Sequence, residues 1–126
     1  MGSSRRIIHV ESGRTIVQTA RWCNTFVCKL RGFTLRRELK PGEGLVLVEK
    51  RQSRVSTAIT MLFVFFDLGV LWVNDHGRVV DTALARPWRL SYTPRAPALY
   101  AVEGHPNIIE KIKIGDHVRF IELTGE

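Results

Sequence analysis

With 126 residues, 44% of them apolar and 25% charged, the chain has the size and composition of one ordinary globular domain with a real core. Its formal charge is +7, carried mostly by arginine, which leaves nucleic acid, anionic lipid or an acidic partner open and equally suits a solvated face. Two cysteines without a CxxC and four histidines without ligand spacing exclude a zinc ribbon, and neither metal nor cofactor is expected.

The N-terminus has only Ile7, Ile8 and Val10 around His9 as an apolar run, too little for a secretory signal, so a cytoplasmic location is expected. Residues 6–11 and 15–20 read as strands around the turn Ser12-Gly13-Arg14. Asn24 suits the N-cap of a short helix over residues 25–31, stopped by Gly32. On one helix, the five-residue offset would set Cys23 and Cys28 about 140° apart, which predicts reduced core thiols. A further helical turn over 34–39 leads to the turn at 40–44, and 45–48 is a buried strand. The 29–54 region is the most basic, with Lys29, Arg31, Arg36, Arg37, Lys40, Lys50, Arg51 and Arg54 against three glutamates. Without interleaved aromatic platforms it reads first as a solvated face, with nucleic acid as the alternative partner.

Residues 58–73, AITMLFVFFDLGVLWV, form the densest apolar stretch. Too short for a spanning helix, it reads as two strands hinged at Asp67-Leu68-Gly69, the first apolar on both faces and covered on both sides. Asn74-Asp75-His76-Gly77 is a hairpin turn, and 78–83 the returning strand. Residues 86–97, with three prolines, Trp88 and Tyr92, form a long ordered loop. A strand at 98–103, a short helix at 108–112 and a last strand at 117–123 complete a single domain, 1–126. The expected fold is mainly β, a compact small barrel or strongly bent antiparallel sheet with two short helices.

The ordered set GEGLVLV, a segment with Met61, LGVLWVNDHGRVVD, ARPW and a closing Gly115-Asp116 resembles the domain of unknown function 192 family, a largely prokaryotic group, over residues 30–121. Gly44, Leu45, Met61, 71–74 and Glu103 match its pattern. Thr60 stands where the family often has Trp, and Gly69 where it often has Asp, so that acid is either missing here or replaced by Asp67. The resemblance implies a compact β-rich fold and no established biochemical function.

Chemistry in the sequence concentrates in the proline-rich loop. Arg86, Trp88, Arg89, Tyr92 and Arg95 offer cationic forks and aromatic faces suited to an anionic ligand or protein segment. The plainer reading has Trp88 and Tyr92 plugging the barrel end while the arginines are solvated. Asp67, Asp81 and Glu103 would support an enzyme only if two of them converge. No recognisable catalytic motif is present, so whether the chain is an enzyme stays open. The sequence therefore favours a small binding domain using Arg86, Trp88, Arg89, Tyr92, Arg95, Asp67 and Glu103, with nucleic-acid binding and a carboxylate enzyme as alternatives.

Overall fold

The computed structural model describes residues 3–36 and 38–123. Seven strands form one sheet: β1 (Ser4–His9), β2 (Thr15–Cys23), β3 (Glu43–Ser53), β4 (Leu68–Val73), β5 (Val79–Ala85), β6 (Ala98–Gly104) and β7 (Val118–Leu123). One helix, α1 (Phe26–Arg31), lies between β2 and β3. The second expected helix is a 3₁₀ turn at Pro106–Glu110, because a proline start and five residues hold one tight turn rather than an α-helix.

The order across the sheet is β5-β4-β6-β3-β2-β1-β7. It curls into a half-barrel whose edges meet at one end, where Arg78 bridges His117. There the Val79 N–H donates to the Asp116 carbonyl and the Val118 N–H to the Gly77 carbonyl, each at 2.8 Å. The pairing is antiparallel except between β2 and β3, which run parallel. Parallel neighbours need a crossover, and the segment containing α1 supplies it.

Each face carries its own core. On one, Ile7, Val46, Leu71, Val73, Val102 and Ile108 pack beneath the 3₁₀ turn. On the other, Leu45, Val70, Trp72 and Ala101 pack against Phe33, Ile59, Met61 and Val64. β4 is buried at all six positions. The strand covered on both sides is thus 68–73. Residues 58–66 are irregular, touching the sheet only through an isolated Ile59–Tyr92 bridge. Ile59, Met61 and Val64 turn inward while Leu62, Phe63 and Phe65 face solvent, a spacing that no strand provides.

The cysteines form a disulfide, contrary to expectation. Cys23 ends β2, and Thr25, not Asn24, caps the helix by accepting from the Cys28 N–H at 3.2 Å. The two residues therefore share no helix, and the turn between them brings their sulfurs together. Closing so short a loop contributes about 2 kcal/mol on the chain-entropy argument. It matters because α1 has no buried residue and Phe26 is 78% exposed. Of the helical turn expected over 34–39, residues 34–35 form an ordinary turn and Arg37 lies outside the described residues. Among the described residues no helix is long and apolar enough to cross a membrane.

Gly69 lets the 3₁₀ turn seat on β4. A Cβ there would lie 2.8 Å from the His105 carbonyl oxygen and 2.8 Å from Ile108 Cγ1. The carbonyl is backbone and cannot rotate away, so Gly69→Ala should cost about 1–3 kcal/mol of unfolding free energy. Urea denaturation checks this; unchanged stability would mean that the turn does not rest on β4 as described.

Candidate functional site

The proline-rich loop packs against residues 58–66 through the backbone. Ile59 and Tyr92 exchange N–H to carbonyl bonds at 2.9 and 2.8 Å. The Met61 N–H donates to the Arg89 carbonyl at 2.9 Å, and the Trp88 N–H to the Met61 carbonyl at 2.8 Å. The Tyr92 hydroxyl accepts from the Arg86 N–H at 2.9 Å. Tyr92 therefore buttresses the 58–66 segment. Trp88 instead stands half exposed, its ring centroid 5.0 Å from Phe63 and 5.7 Å from Phe65.

This corner holds unusual backbone. The three non-glycine residues with positive φ among the described residues are Leu35 (66°), Phe63 (62°) and Trp88 (68°). Bulky side chains rarely adopt this conformation, at a cost of about 1–3 kcal/mol each. All three connect here: the Leu35 N–H donates to the Phe63 carbonyl at 2.8 Å, and the Phe63 ring packs against Trp88 at an interplanar angle of 60°. Strain gathered at one exposed place is typical of ligand clamps and switch regions.

The arginines differ in what already engages them. Arg95 is already engaged by Asp81, although its side chain is largely exposed: its Nε lies 3.2 Å from Asp81 Oδ1, and its backbone N–H donates to Asp81 Oδ2 at 2.9 Å. Arg86 reaches Asp67 only at 4.0 Å, with both side chains well exposed. Arg89 is exposed and makes no ion pair among the described residues. Asp67 is only half-buried, and Gly69 cannot carry the family's acid without striking the 3₁₀ turn.

The three candidate carboxylates do not converge. Asp81 stands opposite Trp72 and Glu103 opposite Val70, so β4 lies between them, two strand spacings or about 10 Å across. Asp67 precedes Val70 by three residues, again about 10 Å along the chain.

Glu103 is the unusual member. Its register partners, Leu45 and Val70, place it on the sheet face covered by α1 and residues 58–66. It is 6% exposed, and burial pushes its carboxyl from the ordinary 4.5 up to about 7. It lines a cleft of about 130 Å³ with Phe33, Leu47, Ile59, Val64 and the hydroxyl residues Thr34 and Thr60. Neither this cleft nor the strained positions could be read from residue order, because they depend on how an irregular segment folds over the sheet.

A second polar cluster sits where the sheet edges meet. His9 Nε2 lies 2.8 Å from Asp116 Oδ2 and 3.5 Å from Glu11 Oε1, while His117 Nδ1 lies 2.8 Å from Glu11 Oε2. Its His117 bonds hold Glu11 down to about 2; the Lys113 N–H and then His9 lower Asp116. These groups are engaged with one another and clip β1 to the start of β7.

With this geometry in hand, comparison with known proteins decides the family. The model of domain of unknown function 192, described as "Uncharacterized ACR", matches residues 7–120. The chain belongs to this family. UPF0127 protein PF1050 of Pyrococcus furiosus is 30% identical over 116 residues, covering 90% of this chain and 97% of its own. UPF0127 protein TK1120 of Thermococcus kodakarensis is 32% identical over 108 residues, 86% of this chain and 67% of its own. Among solved structures, a Sinorhizobium meliloti protein provisionally designated a transcription regulator aligns with a TM-score of 0.81 at 20% identity, over 95% of this chain and 94% of that one. A Novosphingobium aromaticivorans protein of unknown function gives 0.74 at 21%, over 92% and 83%. At these identities the two structures show that this chain shares their fold.

The buried acid sets a pH dependence. Below about pH 4.5 Glu103 is largely neutral in both the folded and the unfolded chain, and its burial takes nothing from stability. As pH rises to about 7 the unfolded chain ionises while the folded one resists, so stability falls. The loss should reach about 3 kcal/mol and then level off. Urea unfolding from pH 4.5 to 8 should show this decline in the native chain and a smaller one in Glu103→Gln. Parallel curves would contradict the assignment.

Proposed function

We propose that this chain is an interaction domain that holds an acidic protein segment, carrying large apolar side chains, against the corner made by Phe63, Phe65 and Trp88. The observation that carries the reading is the exposed three-ring cluster, built on two left-handed backbone positions and flanked by Arg86 and Arg89. Phe63, Phe65 and Trp88 are each about half exposed, and aromatic and arginine side chains are enriched where protein surfaces meet. The strain argues for a preformed surface, which lowers the ordering cost of binding. The excess of positive charge and the two lightly engaged arginines favour an acidic partner.

The nucleic-acid alternative gains the Sinorhizobium protein's designation, at an identity that speaks to fold alone. Against it, Lys29 is paired with Glu49 at 3.1 Å and Arg36 with Glu43 at 2.8 Å, which reduces the free charge of the 29–54 region. A carboxylate enzyme is disfavoured by the separation of Asp67, Asp81 and Glu103. The Cys23–Cys28 disulfide weighs against the cytoplasmic location expected from the sequence, since disulfides are rare in that compartment; thiol trapping in intact cells should find the pair reduced if the protein resides there, and a bonded pair would refute it.

Panning a random peptide display library on the intact protein tests the reading. Enriched peptides should combine Asp or Glu with Phe, Leu or Trp, bind with micromolar affinity, and lose about tenfold or more on Trp88→Ala. Enrichment of basic peptides, or equal binding to a folded Trp88→Ala protein, would refute it.

A further inference from the structure

Glu103 poses a problem that the aromatic corner does not answer. Its residue is 6% exposed; among the described residues no hydrogen bond or ion pair to its carboxyl is found, and no side-chain polar atom is both fully buried and unpartnered, so the carboxyl oxygens meet solvent only through the cleft they line. Buried polar groups are normally satisfied, and a buried carboxylate is costly unless a counter-charge reaches it. Here the space for a partner is present. The cleft beside Glu103, about 130 Å³, holds several waters' worth of volume. Phe33, Leu47, Ile59 and Val64 make apolar walls, and Thr34, Ser56 and Thr60 bring hydroxyls to the same cavity. Ser56 and Thr60 are exposed and so lie towards solvent. Two of the protein's own cations line this cavity, and neither is bonded to Glu103: the Lys29 Nζ sits 3.1 Å from Glu49 Oε2, also on the lining, and Arg31 is exposed.

An acid at an apolar base, hydroxyl acceptors nearer solvent and room for a few heavy atoms together describe a receptor. We propose that the Glu103 cleft binds a small primary ammonium group on a short alkyl stem. The Glu103 carboxylate is the counter-ion, the hydroxyls accept remaining N–H bonds, and the apolar walls cover the stem. This site is separate from the aromatic corner and takes a different ligand. A cation is favoured over a neutral amide because it pairs with the ionised acid inside a desolvated cavity, where charge-assisted bonds are the stronger kind.

The test uses amide spectra of the isotope-labelled full chain at pH 8 and constant ionic strength, titrated separately with n-propylammonium, propionamide and propionate. Propylammonium should shift the amides of residues 58–60, Val64 and Glu103 with millimolar affinity, at least about tenfold tighter than propionamide. Propionate should leave those amides unmoved. Glu103→Gln should weaken the ammonium by about tenfold or more, whereas Trp88→Ala should leave it intact, which separates this site from the protein-binding corner. If Glu103→Gln fails to give a native spectrum, Thr60→Trp at the exposed rim should block the shifts instead. No response to propylammonium, an equal response to propionamide or propionate, or undiminished binding to a folded Glu103→Gln protein would overturn the proposal.

Discussion

The burial of β4 on both faces is the constraint on which the rest of the molecule depends. A strand with one solvated face needs only one core, but Leu71 and Val73 require cover on one side while Val70 and Trp72 require it on the other. The 3₁₀ turn covers the first side, which is why Gly69 must lack a side chain. The second side has no regular element large enough. Residues 54–66 cover it, held where the Trp72 indole N–H donates to the Thr57 carbonyl at 2.7 Å in the buried interior. Thr57 is itself anchored, its hydroxyl donating to the Ser53 carbonyl at 2.6 Å. An unmet indole donor or peptide carbonyl there would cost about 1–3 kcal/mol, so the bond fixes the path of the covering segment.

From that path the surface chemistry follows. An irregular segment laid across a sheet cannot bury every apolar side chain. Once Ile59, Met61 and Val64 face inward, Leu62, Phe63 and Phe65 are left outside. Trp88 gives two of those exposed rings a partner, and the backbone bonds from Met61 to Trp88 and Arg89 hold the two segments together. The same cover leaves a gap towards α1, and Glu103 lies at that gap. The disulfide sets where α1 stands, since the helix buries no residue of its own. The strained positions, and the buried Glu103 carboxyl, which has no bonding partner among the described residues, both detract from stability.

Much of this was legible in residue order. The turn residues Ser12-Gly13-Arg14 and Asn74–Gly77 mark the two hairpins, and each of the seven strands overlaps an expected one, although β1 lies two residues earlier and β3 runs on to Ser53 through the basic stretch that follows the expected 45–48. Residues 58–66 were not legible as a loop. A strand apolar on both faces and an irregular cover segment have the same composition, and only the spacing of Ile59, Met61 and Val64 separates them. The cysteine pair was misread for a local reason: capping by Thr25 instead of Asn24 still leaves Cys23 on β2, and only a helix running through both residues would part the sulfurs. Of the candidate site residues, Trp88, Arg86 and Arg89 lie on the exposed corner, Tyr92 and Arg95 serve as buttresses, and Asp67 is a half-exposed neighbour of Arg86. Glu103 could be singled out by its place in the family pattern, but its isolation depends on strand register, which residue order does not display.

Amide hydrogen exchange on Trp72→Phe measures the central claim most directly, because the change removes the indole donor while keeping an aromatic ring in the core. If the Trp72–Thr57 bond fixes the cover, amides of residues 57–66 and 86–92 should exchange about tenfold or more faster, with β1, β2 and β7 unchanged. Uniform acceleration over the whole sheet, or no acceleration in residues 57–66, would contradict the account.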